Sequence, residues 1–118
     1  MGTREALGRH GEEVAAEYLR GVGMVVLERN WRCRLGEIDI VAVEGDCLAV
    51  CEVKTRRVLL AGGPIEAVTP VKLTRLRRLT AIWLAGQQRR FAQVRIDVVG
   101  VFVSTAGRST VRHLKGVS

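Results

Sequence analysis

The fold is decided by two short stretches, GEIDIV at residues 36–41 and CEVK at residues 51–54. Each stretch places charged residues inside a run of apolar residues that is otherwise typical of a buried β-strand. The turn signal Glu44-Gly45-Asp46 lies between them, so the two runs predict a β-hairpin. Charged groups inside such a hairpin are costly to bury unless something pairs with them.

Strand alternation predicts which of these charged side chains meet. Successive side chains point to opposite faces, so Glu37, Asp39 and Val41 are expected on one face. Glu52 and Lys54 share a face of the next strand by the same rule. Two carboxylates and an amine at a strand end are the groups that a divalent-metal phosphodiesterase site needs. The carboxylates hold a hard cation, and the lysine stabilises an anionic oxygen.

The length and composition of the chain predict its general class. A chain of 118 residues with 47% hydrophobic residues fits a single domain, residues 1–118, with one packed core. Apolar runs are too short to span a bilayer, and the amino end lacks the apolar segment of a signal peptide. We therefore expect a soluble, cytoplasmic protein with no membrane association.

The net charge of the chain is +7 and its sequence pI is about 10.4. A basic surface favours a polyanionic partner, and nucleic acid is the first candidate. The alternative is a well-solvated protein whose basicity reflects an arginine-rich genome.

The three cysteines, Cys33, Cys47 and Cys51, are expected to be reduced thiols, because their number is odd and a secretory signal is absent. A zinc site would need a fourth ligand such as His113. Without a CxxC pair, ordinary core cysteines are the stronger interpretation.

The spacing of apolar residues predicts the order of the elements. The first helix, near residues 3–20, carries Glu12 on its inward stripe with Gly8, Ala15, Ala16 and Leu19. Strands follow at 24–28 and in the hairpin. One helical turn at residues 65–68 is an alternative to a continuous loop. Thr69-Pro70 caps a helix that runs to about Ala85. Its expected buried residues are Val71, Leu76, Leu79, Ile82 and Trp83. A strand at 94–103 follows, and residues 110–114 are a candidate for a short last strand. This order predicts an α/β fold in which helices pack on a mixed sheet.

The motifs together resemble a known family. A helix with Glu12, a strand with Asp39 and the Glu52-Val53-Lys54 run resemble the core of the PD-(D/E)XK, or restriction-endonuclease-like, superfamily. Nearly the whole chain is similar to the bacterial YraN-like family, including the segments Asn30-Trp31-Arg32-Cys33 and Arg95-Ile96-Asp97-Val98-Val99. The resemblance implies a nuclease-like fold and a nuclease-like metal site, whereas activity does not follow from a fold alone.

The candidate site follows from these residues. Asp39 and Glu52 are expected to bind Mg²⁺ or Mn²⁺, with the backbone carbonyl of Val53 as a further ligand. Lys54 would orient the attacking water or hold a phosphate oxygen, and Glu12 would reach a metal-bound water or a second metal from the helix. A buried salt-bridge network of Lys54 with Asp39 and Glu52 is the structural alternative.

Basic side chains supply the expected nucleic-acid contacts. Distributed cations suit phosphate binding, and the sequence has no aromatic clusters. We therefore expect recognition of the nucleic-acid backbone and shape, and not of a particular base sequence. The expected contacts are Arg32, Arg34, Arg56, Arg57, Lys72, Arg75 and Arg78.

Several interpretations of function remain open from the sequence. The first is a metal-dependent endonuclease that acts on branched, nicked or otherwise processed DNA. The second is a noncatalytic nucleic-acid-binding or scaffold protein that acts through a partner enzyme. A weaker third is an RNA-processing nuclease. The sequence leaves open whether the chain forms a homodimer and which protein partners it has.

Overall fold

The computed structural model describes residues 3–59, 65 and 68–117. Within these residues the chain forms two helices and five strands. In chain order they are α1 (Arg4–Gly21), β1 (Val25–Cys33), β2 (Gly36–Glu44), β3 (Cys47–Val58), α2 (Pro70–Ala85), β4 (Gln93–Ser104) and β5 (Ser109–Leu114). The order confirms the predicted α/β fold and includes the short last strand.

The five strands form one mixed sheet in the order β1-β2-β3-β4-β5. Strands β3 and β4 are parallel, and the other neighbouring strands are antiparallel. The connection between the parallel strands contains α2, as expected for a crossover. The sheet is therefore the mixed sheet of the predicted restriction-endonuclease-like core.

A helix covers each face of this sheet. Ile40 and Cys51 pack in the core cluster that contains α1 residues Ala15, Ala16 and Leu19. Val41 and Val50 pack in the cluster that contains Leu79 and Trp83 of α2. Because neighbouring strand residues point to opposite faces, the two helices lie on opposite sides of the sheet.

Both helices begin where the sequence predicts. The side chain of Thr3 accepts a hydrogen bond from the backbone N–H of Ala6, and that of Thr69 accepts one from Lys72. These bonds satisfy amides that the helix itself leaves unpaired. None of the described helices is long and apolar enough to cross a membrane.

Some expected boundaries and faces were wrong. Strand β1 extends to Cys33, well beyond the predicted residues 24–28, because its second half pairs with the start of β2. On α2, Val71 is 73% exposed and Ile82 is 37% exposed, so neither belongs to the buried side. On α1 the glycine that faces inward is Gly11, whereas Gly8 is exposed. The predicted turn at residues 65–68 includes positions outside the described residues.

A buried polar network attaches β5 to β4. Asp97 is fully buried, and its carboxylate accepts hydrogen bonds from Arg95 and from the backbone N–H of Gly116. Its other oxygen lies 2.8 Å from Nε2 of His113, whose ring stacks edge-on against Tyr18 of α1. Burial acts to raise the pKa of Asp97, but the hydrogen bonds from His113 and Arg95 outweigh it and the pKa is lowered.

Candidate metal centre

The candidate site lies where β2 and β3 separate. Their ladder joins residues 40–44 to residues 47–51, and its last pair is Ile40 with Cys51. Beyond that pair, β2 continues beside β1, and β3 continues beside β4. Asp39 and Glu52 are the first residues past the last pair on each strand. We call this place the fork.

The face of Asp39 differs from the prediction. Ile38 packs in the cluster against α2, whereas Ile40 packs in the cluster under α1, so the regular alternation is interrupted between them. Asp39 lines a cavity together with Glu12 of α1, and Val41 faces α2. The expectation that Asp39 and Val41 share a face was therefore wrong. Strand β2 loses β3 as a neighbour at this point, so the pairing that would keep its pleat regular is missing.

The electrostatic environment of Asp39 disfavours its charge. Burial, and after it the negative charge of Glu52, raise the pKa of Asp39 to about 7. A hydrogen bond of 2.8 Å from the backbone N–H of Val53 to Oδ2 of Asp39 acts in the opposite direction. A bound divalent cation would relieve this repulsion, because carboxylate oxygens are the ligands that hard cations prefer.

Glu52 has a partner that the sequence did not indicate. Its side chain is 10% exposed and forms an ion pair with Nζ of Lys72, from the first turn of α2. Lys54 is half-buried on β3, beside Gly100 in the ladder with β4. Among the residues that the structure describes, Lys54 forms no ion pair with Asp39 or Glu52. The alternative interpretation, a salt-bridge network of Lys54 with Asp39 and Glu52, is therefore wrong, because Lys72 is the lysine that pairs with Glu52.

Glu12 is held at the edge of the cavity by two residues of β1. Its Oε1 accepts a hydrogen bond of 2.6 Å from Nδ2 of Asn30 and lies 3.6 Å from Nη2 of Arg29. Asn30 has a φ of 53°, and it is the one non-glycine residue with a positive φ in the described part of the chain. A left-handed backbone is unfavourable for most residues, although asparagine tolerates it better than others.

The close approach of α1 to β3 brings Glu12 to this position. A Cβ atom placed on Gly11 would lie 1.8 Å from Oγ1 of Thr55, which is far inside contact distance. Only glycine allows the helix to approach the strand this closely. Gly11 therefore permits the adjacent Glu12 to reach the cavity that Asp39 also lines.

The cavity at the fork has a volume of about 900 Å³. Besides Glu12 and Asp39 it is lined by Val53 and Thr55 of β3 and by several charged residues. The charged residues are Arg4, Glu5, Arg9, Glu13, Arg29, Arg32 and Glu37. Sequence reasoning missed Arg4 and Arg9. The three-residue spacing of Arg9 from Glu12 was a signal that both lie on one side of the helix.

The number of ligands that the side chains can offer is limited. Within residues 3–59, 65 and 68–117, no three His, Cys, Asp or Glu side chains come close enough together to hold a metal ion. Cys33, Cys47 and Cys51 are free thiols, as predicted. Asp39 lines this cavity, whereas Glu52 is not among the described residues that line it, and Asp39 is related to Glu52 through their electrostatic repulsion.

The predicted nucleic-acid contacts other than Lys72 lie on the surface. These exposed residues are Arg32, Arg34, Arg56, Arg57, Arg75 and Arg78. Arg32 forms an ion pair of 3.1 Å with Glu37 at the cavity, whereas Arg75 and Arg78 lie on α2. Arg32 therefore lies on the cavity side of the β1–β2 hairpin, and Arg75 and Arg78 lie on its α2 side.

A mixed sheet with a helix on each face and two acids at a strand fork defines an α/β protein with a restriction-endonuclease-like core. The profile of "Uncharacterised protein family UPF0102" matches residues 11–101, and the chain belongs to this family. The family is YraN-like, which confirms the resemblance found in the sequence.

Relatives in the family match the chain over nearly its full length. A UPF0102 protein of Kineococcus radiotolerans is 58% identical over 98% of this chain and 96% of its own length. One from Streptomyces griseus is 54% identical over 100% of both chains. One from Pseudarthrobacter chlorophenolicus is 51% identical over 100% of this chain and 89% of its own length.

Proposed function

We propose that this protein is a divalent-metal-dependent endonuclease that hydrolyses phosphodiester bonds in DNA, at branched, nicked or otherwise processed sites. One observation carries the proposal. Asp39 and Glu52 lie together at the fork of two strands, where burial and mutual repulsion raise the pKa of Asp39 to about 7. Carboxylates with a raised pKa are concentrated at functional sites, and a bound cation would relieve the repulsion between these two acids.

Each residue at the fork has a part in this chemistry. Asp39, Glu52 and the carbonyl oxygen of Val53 would hold Mg²⁺ or Mn²⁺, which lowers the pKa of bound water and neutralises charge on the phosphate. Lys54 would orient the attacking water or hold a phosphate oxygen. Glu12, fixed by Asn30, would hold a water molecule at the rim of the cavity.

Exposed arginines on both sides of the hairpin support binding to a polyanion. The affinity for duplex DNA should fall with salt, with a log–log slope of about −0.9 per phosphate neutralised. Replacing Arg75 and Arg78 with alanine should flatten this slope, because both lie exposed on α2. Arg108→Ala, in the turn between β4 and β5, is the matched control. A double variant with the wild-type slope would place the DNA on another surface.

The decisive experiment is a cleavage assay with Mg²⁺ and Mn²⁺ on intact, nicked, flapped, four-way and single-stranded substrates. Wild type should cleave at least one of the interrupted substrates, and Lys54→Ala should not. The DNA affinity of Lys54→Ala should stay within a few fold of wild type, because one phosphate contact among many is a small loss. Lys115→Ala, which removes a lysine paired with Glu44, should cleave like wild type.

Two results would overturn the proposal. Cleavage by Asp39→Asn at the wild-type rate would show that the activity does not come from the fork. Absence of cleavage by wild type on every substrate would favour a noncatalytic role, and cleavage of RNA alone would replace DNA as the substrate.

A noncatalytic nucleic-acid-binding protein is the second candidate function. It is favoured by the ion pair of Glu52 with Lys72 and by the bond from Val53 to Asp39, which together partly satisfy both acids. Such a protein would bind DNA with the same salt dependence, and its affinity would be independent of Mg²⁺.

A further inference from the structure

Apolar side chains are exposed at the tip of the β1–β2 hairpin. Leu35, in the hairpin turn, is 50% exposed, and Val71, in the first turn of α2, is 73% exposed. With Leu79 they line a recess of about 240 Å³, whose other lining residues are Thr74, Arg75 and Arg78. We call this the hairpin recess. Leu35 and Val71 share this recess, so they form one apolar patch instead of two isolated exposed side chains.

The charges around the hairpin recess are positive. Arg75 and Arg78 line it and are exposed, and Arg34 stands beside Leu35 in the turn. Among the residues that the structure describes, those that line the recess include no acid. An apolar concavity edged by guanidinium groups matches a nucleotide, whose base offers a flat apolar face and whose phosphate is anionic.

The hairpin recess lies close to the fork along one strand. Leu35 precedes Asp39 by four residues, which corresponds to about 13 Å of extended strand. This is about four base steps along one strand of duplex DNA. The recess and the Glu52–Lys72 pair both involve the first turn of α2, so a base in the recess would lie within about four nucleotides of a phosphate at the fork.

We infer that the hairpin recess binds a nucleobase that is already unstacked at a nick, gap, flap or branch point of DNA. The inference rests on the proposed function, in that it takes DNA as the ligand and the fork as the position of the reacting phosphate. A base in an intact duplex must lose its stacking before it can enter, whereas a base at a discontinuity has lost much of it. Apolar side chains inserted at such steps are a known way to hold interrupted or bent DNA. The recess thus selects interrupted duplexes.

The test measures binding without cleavage. Fluorescence anisotropy in EDTA gives the affinities for a gapped duplex and for an intact duplex of the same sequence. Wild type should prefer the gapped duplex, and 2-aminopurine placed at the gap should change its fluorescence on binding. Leu35→Ser/Val71→Ser should lose about five- to tenfold in affinity for the gapped duplex and keep its affinity for the intact duplex within about twofold. Val25→Ser, which changes a side chain 59% exposed at the start of β1, should leave both affinities unchanged.

Each contrary outcome has a definite meaning. If the double variant binds gapped DNA as wild type does, the recess does not bind a base, and this holds even if wild type cleaves DNA. Equal losses on both duplexes would make the recess a general DNA contact without selectivity. If wild type sediments as a dimer and the double variant as a monomer, the recess is a contact between copies of the chain. Selective binding of gapped DNA without any cleavage would overturn the nuclease proposal alone.

Discussion

Asn30 and Glu12, 18 residues apart in the chain, are joined by a hydrogen bond of 2.6 Å from Nδ2 of Asn30 to Oε1 of Glu12. Asn30 makes this bond from a left-handed backbone, with φ of 53°. Strained backbone conformations persist where the surrounding structure enforces them, and they concentrate at functional sites. The bond connects β1 to α1 at the rim of the cavity that contains Asp39.

Two substitutions at Asn30 separate the effect of its side-chain hydrogen bond from the effect of its backbone conformation. Asn30→Gly and Asn30→Ala both remove the hydrogen bond to Glu12, but only alanine is strained at this φ. We expect Asn30→Ala to be less stable than Asn30→Gly by about 1 kcal/mol in urea unfolding. Both should reduce cleavage to a similar extent, because both release Glu12. Equal stability of the two variants would show that the backbone conformation costs nothing.

The raised pKa of Asp39 predicts how stability depends on pH. A folded-state pKa of about 7, above the ordinary 3.8, means that the folded state binds more protons than the unfolded state between these values. The stabilising contribution is complete below pH 3.8 and is lost as the pH rises through 7. In the Asp39→Asn variant the amide does not titrate, and its oxygen still accepts the bond from Val53. This variant should therefore be more stable than wild type by about 1–3 kcal/mol at pH 8 without metal, and similar to it at pH 4. Thermal unfolding at both pH values checks this. A variant less stable at pH 8 would contradict the shift.

The same pKa predicts the pH dependence of metal binding. A proton on Asp39 competes with a cation, so calorimetry should show Mn²⁺ affinity rising from pH 5.5 to about 8 and then levelling off. Asp39→Asn and Glu52→Gln should each abolish binding. Glu17→Gln, at an exposed position of α1, is the control and should bind as wild type does. Equal binding by wild type and Asp39→Asn would remove the fork as the metal site.

Two glycines of α1 provide a matched test of its packing. A Cβ on Gly11 would overlap Thr55, whereas a Cβ on Gly8 would meet no atom within 4 Å. Gly11→Ala should therefore destabilise the protein by about 1–3 kcal/mol as α1 moves away from β3. Gly8→Ala should stabilise it by about 0.5–1 kcal/mol through helix propensity. Urea unfolding measures both, and a Gly11→Ala variant as stable as wild type would show that the helix can shift freely.

The buried carboxylate of Asp97 predicts an acid-sensitive contribution to stability. Because its pKa is lowered in the folded state, this contribution is present above the unfolded pKa of 3.8 and is lost as the pH falls through the folded pKa. Asp97→Asn should cost about 3–5 kcal/mol at pH 7, since Arg95 and His113 lose their charged partner. The difference from wild type, followed by urea unfolding, should shrink in acid. A loss of stability that does not depend on pH would contradict the role of the charge.

Much of the candidate site could be predicted, because its acids interrupt apolar strands. Asp39 and Glu52 stand out in the sequence because a carboxylate in a buried apolar strand is costly unless a partner or a cation compensates its charge. Their meeting also followed from the turn at Gly45, which fixes the hairpin register. The sequence pattern did not predict that Asp39 faces α1 while Val41 faces α2. Strand alternation fails here because the pleat is interrupted where β3 leaves β2.

The sequence by itself determined the hairpin, the cap at Thr69, the order of the elements and the positive charge. All of these depend on residues only a few positions apart. The tertiary structure decided that Lys72 pairs with Glu52, that Asn30 holds Glu12 and that Gly11 meets Thr55. These pairs lie 18 to 44 residues apart in the chain, so no local periodicity relates them. They meet because the two helices pack on opposite faces of a sheet whose central strands separate at the acids.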